Sequence, residues 1–116
     1  MHEHAIAAKI VAIVEEEIAA TDLSRKVRRV VIEAGRMHAL VPDSLRFHFE
    51  VIIKDKPRLE SAELVLRSKP ITAECGTCRK VIVLDDPVFV CHECHGAVRQ
   101  LSGNELLVDS IELDEN

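Results

Sequence analysis

Cys75-Gly76-Thr77-Cys78 and, after twelve intervening residues, Cys91-His92-Glu93-Cys94 hold all four cysteines of this chain of 116 residues. Two residues between cysteines let both sulfurs of a pair turn toward one ion, and two such pairs supply the four thiolates of a tetrahedral zinc site. Disulfide or thiol redox chemistry is the competing use of the same residues. The chain opens Met1-His2-Glu3-His4 and runs directly into a helical pattern rather than a signal peptide, so a reducing cytoplasm is the expected setting. A catalytic zinc keeps one coordination position open, whereas four cysteines close the shell. The expectation is a structural zinc ribbon, with the activity placed elsewhere.

Composition narrows that activity. Apolar residues make up 47% of the chain but its aromatic residues are three phenylalanines, so the core must be aliphatic. Fifteen basic against 20 acidic residues give a formal charge of −5, which repels phosphate backbones. The segment from Ile71 to Gln100 is no exception, with Arg79, Lys80 and Arg99 against Glu74, Asp85, Asp86 and Glu93. Tyr and Trp, the usual base-stacking platforms beside Phe, are absent. No nucleic-acid partner is expected, and no membrane, since no apolar run reaches spanning length. No Ser/His/Asp grouping, phosphate-binding Gly-rich loop or paired acids stands out, so the chain does not read as an enzyme.

Outward from the cysteines, the remaining sequence reads as an α/β (α+β) body. Ile6, Ile10, Ile13, Val14 and Ile18 recur at helical spacing and predict a helix over about 4–20. Val27-Arg-Arg-Val-Val-Ile-Glu33 is a strand ended by Ala34-Gly35. Pro42-Asp43-Ser44 starts a second helix, with Leu45, Phe49 and Ile52 or Ile53 buried, and Lys56-Pro57 stops it. Residues 62–67 alternate as a strand leading to the first cysteine pair. Lys80-Val-Ile-Val-Leu84 and Asp85-Asp86-Pro87 suggest a short hairpin turned at Pro87. Gly103-Asn104 is a turn before a long final strand, Leu106 to Leu113. The zinc segment, residues 71–100, is therefore expected as an insertion between two strands of one sheet, with a discontinuous body formed by 1–70 plus 101–116.

The start of the chain carries a second constellation. An amine at the terminus, a deprotonated backbone amide and the His2 imidazole form small chelate rings without any folding, and planar nitrogen donors suit Cu(II) or Ni(II) better than zinc. Histidines near a terminus are also commonly solvated bystanders, and the residues alone leave both readings open.

A resemblance bears on that choice. Met1-His2-Glu3, Glu33-Ala-Gly35, Pro42-Asp-Ser-Leu-Arg-Phe-His-Phe-Glu50, the paired cysteines and Gly103-Asn-Glu-Leu-Leu-Val-Asp-Ser-Ile-Glu112 follow one another in that order. Together they resemble the HypA/HybF family of hydrogenase-maturation nickel metallochaperones over essentially the whole chain. The resemblance implies a small sheet with two helices forming a nickel-binding domain, 1–70 plus 101–116, with an inserted zinc-ribbon domain, 71–100. It implies Ni(II) as cargo, held by His2 with the backbone nitrogens of His2 and Glu3. It implies structural Zn(II) on Cys75, Cys78, Cys91 and Cys94. The implied partners are the GTPase HypB and the precursor of a [NiFe]-hydrogenase large subunit, with urease served in some organisms.

Two positions depart from the family pattern. His4 stands where an apolar or aromatic residue is common, and Arg36-Met37-His38 where a small residue, Leu and Ser are frequent. Either histidine would enrich a metal site if it reached one, while His92 and His95 are expected beside the zinc rather than on it. The expected function is nickel delivery during [NiFe]-hydrogenase maturation; the alternative is a zinc-ribbon protein-interaction module with no nickel role.

Overall fold

The computed structural model describes residues 2–21 and 25–114. In chain order the elements are α1 (Glu3–Ala19), β1 (Val27–Gly35), a short 3-10 turn (Arg36–His38), α2 (Pro42–Ile53), β2 (Glu63–Lys69), β3 (Ile71–Cys75), β4 (Val81–Leu84), β5 (Val98–Ser102) and β6 (Leu106–Leu113). They divide into two compact units, one of residues 1–33, 40–67 and 107–116, the other of 34–39 and 68–106.

The first unit is built on a three-stranded sheet in the order β2-β1-β6, with α1 and α2 sharing its core. The central place of β1 follows from its sequence. Val30, Val31 and Ile32 are consecutive and all buried, the pattern of a strand covered on both faces rather than one. Helix α1 buries Ala7, Ile10, Val11, Val14 and Ile18. That stripe is rotated slightly from the expected one, since Val11 takes an inner place and Ile13 is only half-buried. Helix α2 buries Leu45, Phe49 and Ile53, as its spacing predicts, and each such side chain contributes about 2 kcal/mol of apolar burial. Pro42 occupies the first turn, where its missing N–H costs nothing. Val41, the N-cap residue, has no side chain able to cap. Its own N–H donates instead to the Glu3 carboxylate at 3.1 Å, which joins the start of α2 to the start of α1.

The second unit is a three-stranded antiparallel sheet, β4-β3-β5. Its core is small, Ile71, Ala73 and Leu84 with Met37, Ile82, Phe89 and Val98 packed against them. The expected hairpin is corrected here. Residues 81–84 pair backward with β3, Ile71 opposite Leu84 and Glu74 opposite Val81, so the turn of the hairpin is the first cysteine pair and residues 85–87 are only a bend. The second pair is bracketed in turn by a bridge between Val90 and Ala97. Each cysteine pair thus serves as a turn.

Candidate metal centre

Each cysteine pair closes a tight loop by the same backbone bonds. In the first, the Cys75 N–H donates to the Lys80 carbonyl and the Arg79 N–H to the Cys75 carbonyl; in the second, the Cys91 N–H donates to Gly96 and the His95 N–H to Cys91. The residue after each second cysteine, Arg79 (φ 64°) and His95 (φ 62°), takes the left-handed conformation that lets the chain reverse so sharply. Two nearly equivalent loops therefore present their sulfurs to a common point.

The four sulfurs all lie within 4.8 Å of one another. Cys75 and Cys94 stand 3.4 Å apart and Cys78 and Cys91 3.8 Å, far beyond a disulfide's S–S bond of about 2.05 Å. Four thiolates at roughly 2.3 Å from a tetrahedral ion would be separated by about 3.8 Å. The donor set and spacing fit zinc, and the closed shell would leave that ion no open position for catalysis.

The thiols are prepared unequally. Cys75 and Cys91 are buried, Cys78 and Cys94 exposed. The Cys75 thiol is held down to about 6, first by the Cys78 N–H and then by the Thr77 N–H, both 3.4 Å from its sulfur. Cys91 is lowered in the same way by the amides of Cys94 and Glu93. The outer thiols go the other way. The Gly96 N–H favours the Cys94 thiolate, yet the neighbouring Cys75 sulfur and desolvation outweigh it and push the thiol up to about 11. Cys78 is raised likewise against the help of the Lys80 N–H. The amides thus favour the thiolate at Cys75 and Cys91, the close sulfurs and desolvation disfavour it at Cys78 and Cys94, and a bound cation would favour deprotonation of all four. Lys80 forms an ion pair with Glu93 that spans the two loops, and that carboxylate raises the lysine's pKa.

Among the described residues, no other group of three or more His, Cys, Asp or Glu side chains converges on one point. His92 and His95 are exposed and do not join the four sulfurs. His38 lies in the second unit, where its Nε2 pairs with the Asn104 carbonyl at 3.0 Å.

The amino-terminal residues are arranged differently. His2 is exposed and is the N-cap of α1, without a side-chain capping bond. The Ile6 N–H donates to the His2 carbonyl at 2.9 Å, so the helical ladder begins beyond the backbone nitrogens of His2 and Glu3. The Glu3 carboxylate is held down to about 2, chiefly by the Val41 N–H it accepts. Its side chain is thereby a structural group, whatever its backbone does. The amino group of Met1 lies outside the described residues. His4 meets a residue that the sequence analysis did not single out: its Nδ1 is 3.3 Å from Nδ1 of His48, 44 residues away on α2. No local pattern could reveal that partner, because only the packing of α1 on α2 creates it.

Comparison with known proteins adds to this geometry. The family described as "Hydrogenase/urease nickel incorporation, metallochaperone, hypA" matches residues 1–113. The hydrogenase maturation factor HypA of Desulfatibacillum aliphaticivorans is 42% identical over 114 residues, which cover 97% of this chain and 87% of that one. Its counterpart in Desulfosudis oleivorans is 40% identical over 116 residues, covering 99% and 100%. The solution structure of the Ni metallochaperone HypA from Helicobacter pylori superposes with a TM-score of 0.67 at 26% identity, covering 97% of each chain.

Proposed function

Because the chain belongs to the HypA family of hydrogenase maturation factors, which are metallochaperones rather than enzymes, we propose that it carries Ni(II) at its amino terminus and gives it up during maturation of a [NiFe]-hydrogenase. The His2 imidazole and the backbone nitrogens of His2 and Glu3 hold the cargo. The observation that carries this reading is the placement of those nitrogens: they precede the first hydrogen bond of α1, beside an exposed imidazole. Donors at a chain start are held by few contacts, so an acceptor can exchange them one by one without unfolding the body.

Zn(II) on Cys75, Cys78, Cys91 and Cys94 has the opposite duty. When bound it supplies local folding free energy, and the chain's own contribution is two loops that aim four sulfurs and lower the inner pair's pKa. On this reading the first unit is the nickel-binding domain and the second, which holds all four cysteines, the zinc-ribbon domain. The partners are the GTPase HypB and the precursor of the hydrogenase large subunit, and the setting is the cytoplasm. Among the described residues no helix is long and apolar enough to cross a membrane.

Equilibrium dialysis against Ni(II) on zinc-loaded protein tests the proposal. One nickel per chain in the wild type and none in His2→Ala is the expected result. Undiminished nickel in His2→Ala would remove the cargo site from the amino terminus, and no nickel in either protein would leave a zinc-ribbon interaction module.

A further inference from the structure

We infer that His4 and His48 form a second transition-metal site, separate from the cysteines, that takes a borderline divalent cation of the zinc type. His4 stands in the first turn of α1 and His48 on α2, and their Nδ1 atoms approach to 3.3 Å with the rings edge-on, 79° between planes. Two nitrogens bound at roughly 2.0–2.1 Å to one tetrahedral ion stand about 3.3 Å apart, whereas a right angle between them would require about 2.9 Å. The separation is that of a tetrahedral bite. It suits zinc better than the planar arrangement favoured by nickel or copper.

The site is supported as well as spaced. Both histidines sit on helices locked in one core, through Ala7, Ile10 and Val11 on α1 and Leu45 and Phe49 on α2. Phe47 and the His48 ring meet nearly perpendicular, with centroids 5.5 Å apart. His48 is half-buried and His4 exposed, so one imidazole is anchored while the other faces the solvent from which a cation arrives. In the hydrogen-bonded pair one Nδ1 carries the proton that the other accepts. Loading needs that proton on Nε2 of the same ring, so that both Nδ1 lone pairs face the ion. Water completes the shell. The positive end of α1 opposes the charge, so the ion is held weakly enough to exchange.

This inference does not depend on nickel at His2, and its test keeps the two apart. Protein holding one zinc at its cysteines is titrated with further zinc while the imidazole nitrogen resonances of His4 and His48 are followed. Both Nδ1 signals should move along one saturation curve, in the wild type and in His2→Ala alike. His48→Gln should raise the dissociation constant at least about tenfold and abolish the response of His4. Unchanged binding in His48→Gln, or two rings that respond separately, would overturn the inference. So would loss of the response in His2→Ala, which would make the pair a bystander to an ion held at His2.

Discussion

The cysteine tetrad and the amino-terminal histidines hold their donors in opposite ways. Each sulfur of the tetrad is aimed by a loop closed on itself, by the Cys75 N–H to Lys80 in one and the Cys91 N–H to Gly96 in the other, and the Gly76 N–H ties the first loop to Ala97. The His2 carbonyl accepts the first bond of its helix, but its backbone nitrogen precedes the first donor of that ladder and its side chain lies open to solvent. If the amino terminus carries the cargo as proposed, the contrast separates retention from release by how much backbone stands behind a donor. A donor embedded in closed loops can leave only by local unfolding, whereas one at a helix start can leave alone.

The strongest way to break the contrast is to remove a sulfur. Cys75→Ser should cost the second unit its zinc and on the order of 10 kcal/mol of folding free energy, since metal binding and local folding are one process in small zinc modules. Metal analysis and amide resonances of residues 68–106 would report it, with the first unit's resonances retained. If this variant kept stoichiometric zinc, an imidazole from His92 or His95 would have to have replaced the thiolate. His2→Ala should do the reverse, losing the nickel stoichiometry in dialysis while zinc content and thermal midpoint stay unchanged.

A smaller effect sharpens the comparison from the core. Phe49 is 1% exposed, and Phe49→Ala should destabilise the first unit by about 3–5 kcal/mol through lost transfer energy and a cavity. Zinc retained at temperatures where the helices have melted would establish that the two units hold their metals independently. The smallest effect lies between β1 and β6, where Glu112 meets Arg28 at 3.0 Å and Arg29 at 3.4 Å. The Arg28 guanidinium, more than any other group, holds the Glu112 carboxyl below its usual range. The unfolded chain therefore binds this proton more readily, and the stabilisation is present above the unfolded pKa and lost as pH falls through the lower, folded one. Glu112→Gln should lower the urea midpoint slightly at pH 7, and the difference should vanish at strongly acid pH and shrink with added salt.

Much of the fold was legible because its elements obey single periodicities. Helix α1 lies within a residue of its expected bounds, α2 starts at Pro42 as expected but ends at Ile53, short of the expected stop at Lys56-Pro57, and Leu45, Phe49 and Ile53 face inward as their spacing requires. Strand β3 was missed, although Ile71, Ala73 and Cys75 alternate inward with Thr72 and Glu74 half-buried, because Ala and Cys give little hydrophobic contrast. The hairpin around β4 was given the wrong turn. Pro87 is the stronger local signal, but the loop of the first cysteine pair brings the chain back to β3 before Pro87 is reached. The convergence of the four cysteines could be read from spacing alone. The meeting of His4 with His48, and the Glu3 carboxylate beneath Val41, could not, since both depend on tertiary packing between α1 and the start or middle of α2.

The sheet order β2-β1-β6 has a consequence for the order in which strands pair. Strand β1 precedes every strand of the second sheet in the chain, and its neighbour β6 follows all of them. Closing so long a loop costs entropy before any contact between β1 and β6 repays it. The strands of the second sheet pair across shorter stretches of chain, so that sheet can close while β1 still lacks one neighbour. Strand β6 then supplies the pairing that β1 lacked.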